Sequence, residues 1–177
     1  LTHFLHSHKI IPDISCLQET HLNYSPQLLD GYDQIINNKT NKKGGGTAIL
    51  IRNNIQYKEI PIISPYEVSC CQISSLGTGP APNETSKIKN TLDTLFIISL
   101  YIPPTAKIDH KSLSKSLAFD NCIILGDINS QHILWGAPKS NGKGKAFCKF
   151  LNSNNLVCLN NKLPTRLGTN GHFSHLD

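Results

Sequence analysis

Short apolar runs, broken by Gly, Pro, Asn and Ser, recur along the chain, and their period gives a first reading of its elements. Leu1, Phe4, Leu5 and His8 fall at helical spacing, and Pro12 stops that helix. Residues 13–20 read as a strand that exits on Glu19. Residues 32–36 read as a second strand, followed by a loop of Asn, Lys and Gly at 37–46. Residues 46–52, 55–60 and 68–73 predict a meander of antiparallel strands on short turns, the first turn at Asn53 and Asn54. The polar, Gly- and Pro-rich stretch 75–91 is long for a loop in a compact domain. Residues 95–101 predict another buried strand, stopped by Ile102, Pro103 and Pro104.

The second half alternates helix and strand. Leu113 and Leu117 place a short helix at 109–118, and Ala146, Phe147, Phe150 and Leu151 give 142–154 one apolar helical face. Between them, Cys122, Ile123, Ile124 and Leu125 run into Gly126, Asp127, Ile128 and Asn129. Four apolar residues closed by glycine predict a strand buried on both faces that delivers a carboxylate and a carboxamide to the sheet edge. Asp127 and Asn129 are two apart, so on extended backbone they share a face. A plain surface turn uses the same residues. Residues 156–159 return as a strand, and 163–166 and 172–177 read as two strand segments across a turn at 168–171. Strands outnumber helices and most connections are hairpins, which predicts two packed sheets with helices outside, an α/β sandwich in a single domain spanning 1–177.

Composition adds bounds. Seventeen Lys and Arg against twelve Asp and Glu leave a net charge of +5, which permits a polyanionic partner without requiring one. The six cysteines form no CxxC pair and sit mostly in apolar runs, the pattern of reduced thiols rather than a zinc site. No apolar run approaches the roughly 18 residues of a membrane span. The reduced thiols and an opening too polar for a signal peptide give the reading of an intracellular protein, with its Asn-x-Ser/Thr triplets due to chance, and a first residue Leu with no Met anywhere gives that of a piece of a longer one.

Chemistry gathers at strand exits. Glu19, Asp127 and Asp177 end strands, as does Tyr101, and oxygen donors without a Cys or His pair suit Mg2+ or Mn2+ that keeps its waters and meets a phosphate. Such an ion polarises a phosphoryl oxygen while a separate base activates water. Gly142, Lys143, Gly144 and Lys145 miss the GxxxxGK[ST] spacing and read as a helix start with solvated lysines. Lys39, Lys42, Lys43 and Arg52, placed near one hairpin, are candidates for contacts to the phosphates of a polyanion, and a solvated loop explains them equally well.

Leu17-Gln18-Glu19-Thr20-His21, Gly45-Gly46-Thr47-Ala48-Ile49, Tyr101-Ile102-Pro103-Pro104, Gly126-Asp127-Ile128-Asn129 with His132 and Leu134-Trp135-Gly136, and Ser174-His175-Leu176-Asp177 follow one another in this order. Together they resemble the endonuclease/exonuclease/phosphatase superfamily, above all the apurinic-type endonuclease domain of jockey-like non-LTR (LINE) retrotransposons. The resemblance implies a DNase I-like four-layer α/β/β/α sandwich of two mixed, mostly antiparallel sheets. It also implies a Mg2+- or Mn2+-dependent endonuclease that acts on DNA ahead of a reverse transcriptase domain, in the nucleus.

By the same resemblance Glu19 matches the metal-binding glutamate, Tyr101 the tyrosine at the scissile phosphate, Asp127 the aspartate that activates water or protonates the leaving group, and Asn129 the asparagine that holds the phosphate. Thr165 and Ser174 match positions beside the DNA backbone, though a turn hydroxyl and an exposed strand residue read as well. Asp177 matches an acid that supports the catalytic histidine. His132 follows the lineage pattern as a DNA contact, while Trp135 is a packing residue ahead of a DNA wedge because of the area it buries. The family's first strand and its closing Ser-Asp-His are not among the 177 residues, so the expectation is a domain truncated at both ends and inactive or nearly so by itself. The alternatives are a relic that binds nucleic acid weakly, or a phosphatase or exonuclease on the same core.

Overall fold

The computed structural model describes residues 12–22, 29–37, 45–74 and 94–163, with the backbone of Arg166–Leu167 and Phe173–Ser174. The helix expected at 1–8 and the loop at 75–91 lie outside the described residues. Strands β1 (Ile14–Gln18), β2 (Tyr32–Asn37) and β3 (Thr47–Arg52) form one sheet in the order β1-β3-β2, antiparallel throughout. Strands β4 (Tyr57–Glu59), β5 (Glu67–Ser74), β6 (Thr94–Tyr101) and β7 (Cys122–Asp127) form the other in sequence order. Its pairings are antiparallel except β6 with β7, which the intervening helix α1 (His110–Leu117) makes parallel. Strands β8 (Arg166–Leu167) and β9 (Phe173–Ser174) make a small antiparallel pair, as the last two expected segments required.

The sheets pack face to face. Ile35, Ile49 and Ile51 of the first meet Cys71, Ile73 and Ile97 of the second. On its other side the second sheet presents Val68, Cys70, Ile98 and Leu100 to Leu113 and Leu117 of α1 and to Phe147, Phe150 and Leu151 of helix α2 (Gly142–Ser153). Fully burying one such side chain is worth about 1.5–3 kcal/mol. Alternation along β5 and β6 thus feeds two cores at once, which fixes their register.

Four expectations are corrected. Residues 46–73 are not one meander, because β3 and β4 lie in different sheets; the Asn53-Asn54 turn, closed by Ile55 N–H on Arg52 C=O at 2.9 Å, carries the chain across. Only Tyr57–Glu59 of 55–60 pairs, and Pro61, without an N–H, ends the ladder. Strand β7 is buried on one face only: Cys122 and Ile124 pack toward the helices, while Ile123 and Leu125 are 41% and 44% exposed at the end of the sheet. Residues 156–159 alternate like a strand, with Leu156 and Cys158 on the core and Val157 and Leu159 exposed, but pair with no strand among the described residues.

Candidate active site

Toward one end of the sandwich the seam between the sheets turns from apolar to polar. Thr47 and Ser69 share a hydroxyl hydrogen bond at 2.8 Å, Gln18 Nε2 donates to Ser99 Oγ at 2.9 Å, and Ser99 Oγ donates to Leu17 C=O at 3.1 Å. Asn37 Nδ2 donates to Val68 C=O at 2.8 Å. Buried polar groups at a sheet interface must be paired in this way, and the bonds pin the exits of β1 and β6 against each other. The candidate site lies just beyond.

Register sets its floor. Glu67 at the start of β5, Tyr101 at the end of β6 and Asp127 at the end of β7 lie in one row across three strands, with Tyr101 between the two acids, and share one face. From the opposite sheet comes Glu19, one residue past β1. Tyr101, itself buried, donates its phenol to Glu19 Oε1 at 2.5 Å. Burial first, then the bond to Glu19, then the charges of Glu19, Asp127 and Glu67 push the Tyr101 phenol well above its ordinary 10. Three carboxylates therefore surround one phenol.

The backbone that aims these groups is specialised. Glu19 has φ 52° and is exposed, so its carboxylate faces solvent on a left-handed turn. Thr20 N–H bonds Gly46 C=O at 3.3 Å and His21 N–H bonds Gly45 C=O at 2.8 Å, which holds that turn against the start of β3. Asp127 Oδ1 accepts the Asn129 N–H at 2.9 Å, an Asx turn that bends the chain out of β7. Asn129, at φ 50°, anchors its Nδ2 on Ile102 C=O at 3.3 Å. A Cβ at Gly126 would overlap the Leu100 carbonyl, so the glycine before Asp127 is what lets β7 end this close to β6.

The donor set fits a hard, hydrated cation. Glu19 is an exposed carboxylate, and Thr20 Oγ1, one residue on, is buried and without a hydrogen-bond partner among the described residues. Among the described residues no three His, Cys, Asp or Glu side chains stand close enough to cage an ion. Mg2+ held by one or two carboxylates and several waters asks for no such cage.

The structure thus brings Glu19, Tyr101, Asp127 and Asn129 to one end of the molecule. It gives the others different contacts or leaves them outside the described residues. Arg52 ends β3, five residues from Thr47, so about 17 Å from the site end at strand rise. It lies across from Tyr32, at the opposite end of the β2–β3 ladder from Asn37 and Thr47, and pairs with Asp13 at 3.1 Å. His132 uses Nδ1 to accept the Leu134 N–H at 3.1 Å, capping the 3-10 turn Ile133–Trp135. Trp135 is buried, edge-on to Phe147, with its indole N–H on Ser130 C=O, a packing role. Thr165, Asp177, Lys39, Lys42 and Lys43 lie outside the described residues; Ser174 pairs with Arg166 through its backbone in β9.

Two residues at this end were missed from the sequence. Glu67 was passed over because it opens a strand instead of ending one. Lys143 was read as solvated, yet its ammonium donates to Pro103 C=O at 2.6 Å and Ile102 C=O at 3.3 Å, tying the start of α2 to the turn after Tyr101.

Two sheets packed face to face, helices on the outer face of one, and acidic strand exits meeting at one end define an α/β fold of the DNase I-like class. Over 99% of this chain and 74% of the other, it matches the endonuclease domain of TRAS1, a telomere-specific non-LTR retrotransposon, with a TM-score of 0.68 and 14% identity. A family described as endonuclease-reverse transcriptase matches residues 95–177. Among curated proteins the chain is 24% identical over 147 residues to the RNA-directed DNA polymerase from mobile element jockey of Drosophila melanogaster. It is 27% identical over 182 residues to the probable RNA-directed DNA polymerase from transposon X-element of the same organism. These alignments take in 80% and 98% of this chain but only 14% and 18% of those proteins. The resemblance to the endonuclease/exonuclease/phosphatase superfamily is borne out by these matches.

Proposed function

We propose that this chain is the metal-dependent endonuclease domain of a non-LTR retrotransposon and hydrolyses a DNA phosphodiester, in its parent polypeptide opening target DNA for a downstream reverse transcriptase in the nucleus. The observation that carries the reading is the Tyr101–Glu19 hydrogen bond across the two sheets, with Asp127 and Asn129 beside it. The names of the matched proteins, endonuclease and RNA-directed DNA polymerase, support the branch and lend nothing to the phosphatase or relic readings.

In this reading Glu19 would hold Mg2+ or Mn2+, which would supply positive charge to stabilise the phosphate in hydrolysis. Asp127, fixed by its own Asx turn, orients the attacking water or returns a proton to the leaving group. Asn129, anchored on Ile102, holds a phosphate oxygen. Burial first, and then the carboxylates around it, keep Tyr101 a neutral donor, which steadies a phosphate without adding negative charge. The 177 residues hold no Ser-Asp-His, so we propose that turnover by this chain alone is feeble.

Nicking of supercoiled plasmid in Mg2+ tests the reading. Whatever nicking is present must vanish with chelator and with Glu19→Gln. Nicking that survives both overturns it. Robust nicking abolished by Asp127→Ala would uphold the endonuclease and overturn its feebleness.

A further inference from the structure

We propose that Glu67 is a positioning residue for the metal-binding glutamate: its carboxylate fixes the Gly45-Gly46 backbone on which the turn carrying Glu19 is hung. The inference rests on the reading of Glu19 given above, and goes beyond it in assigning a role to a strand-opening acid.

The contacts form one chain. Glu67 Oε2 accepts the N–H of Gly46 in a short hydrogen bond. Gly46 and Gly45 are both buried with positive φ, at 95° and 87°. A Cβ at Gly45 would overlap the Glu67 carboxylate, so the glycine leaves the room that the carboxylate fills. The carbonyls of the same two glycines accept the N–H groups of Thr20 and His21, and the left-handed backbone of Glu19 (φ 52°) and His21 (φ 52°) flanks Thr20. Left-handed non-glycine residues persist only where neighbours over-determine them. Here the over-determination runs from Glu67 through Gly46 to Thr20. The register pair Glu67 and Tyr101 then places both ends of the Tyr101–Glu19 bond on one frame.

Positioning by an accepted hydrogen bond makes a distinctive demand: the acceptor matters and the negative charge does not. Groups that orient a metal ligand typically account for 10–100-fold in metal affinity. The experiment compares wild type, Glu67→Gln, Glu67→Ala, Glu67→Asp and Glu19→Gln by Mn2+ titration, and by amide exchange of Thr20 and His21 in metal-free protein. Glu67→Gln keeps an amide oxygen for Gly46 and should bind Mn2+ within about twofold of wild type. Glu67→Ala, and Glu67→Asp with its shorter reach, should bind about 10–100-fold more weakly, with faster exchange at Thr20 and His21. Unchanged exchange in Glu67→Ala overturns the proposal, as does a Glu67→Gln variant as impaired as Glu67→Ala. Should Glu19→Gln bind Mn2+ like wild type, the metal reading fails, and the exchange measurement still decides the role of Glu67. If Glu67→Ala does not fold, the Gln and Asp pair decides by the same criteria.

Discussion

Tyr101 reaches across the gap between the sheets to donate its phenol to Glu19 at 2.5 Å, although the two lie 82 residues apart. Tyr101→Phe removes that donor and leaves the ring. Because Glu19 is exposed and can rehydrate, unfolding by urea should show a loss of only about 0.5–1.5 kcal/mol. In wild type the phenol is pushed above 10, so its ionisation opposes folding and this contribution is lost as pH climbs past 10. Spectrophotometric titration of the folded protein should show one late-titrating tyrosine fewer in Tyr101→Phe; no change in the late phase would contradict the arrangement.

Gly126 sits where β7 presses on β6, and Gly126→Ala would drive its methyl into the Leu100 carbonyl. Backbone cannot swing aside as a side chain can, so a cost of about 1–3 kcal/mol is expected. A midpoint in urea unchanged from wild type would show that the strands separate easily.

Cys70 and Cys71 are buried in the seams, and Cys16 is half-buried against the inter-sheet core. Burial pushes the thiols of Cys16 and Cys70 up to about 12 and that of Cys71 to about 11, from an ordinary 9.0. A thiol with a raised folded pKa favours the fold while protonated, so this stability is full below pH 9 and falls as pH rises through about 11 to 12. Ellman's reagent at pH 8 should leave Cys70 and Cys71 unmodified until denaturant is added. Rapid reaction of the native protein at these positions would contradict their burial.

Lys143 and Asn129 both donate to Ile102 C=O, at 3.3 Å each, so the first turn of α2 braces the same turn that holds the candidate phosphate ligand. Lys143→Met should lower stability by about 1 kcal/mol and loosen amide exchange around residues 102–104, with Lys143→Arg intermediate. Arg52→Ala, at the far end of β3, should leave DNA affinity and its salt dependence unchanged.

Much of this was legible in the residues, for physical reasons that also mark where reading fails. Ile-rich alternation announced β3, β5 and β6, and Gly126-Asp127 announced the acidic corner, because burial and turn chemistry are written locally. Sheet membership was not. Nothing in Asn53-Asn54 says whether the chain folds back in its own sheet or crosses to the next. Glu67 was hidden because its meaning comes from pairing with Tyr101, 34 residues on by sequence number, across a long polar stretch that erases the register. Lys143 looked solvated because charge at a helix start usually is; only the approach of Ile102 and Pro103 gives it carbonyls to bond.

The central claim is that Glu19 is the carboxylate that holds a divalent cation at the meeting point of the two sheets. Mn2+ titration of the 177-residue chain, followed by the ion's paramagnetic resonance, tests it most directly, with Glu59→Gln as a control for an exposed acid on β4. Wild type and Glu59→Gln should bind one ion alike and Glu19→Gln should bind none at the same concentrations. Equal binding by all three would contradict the account.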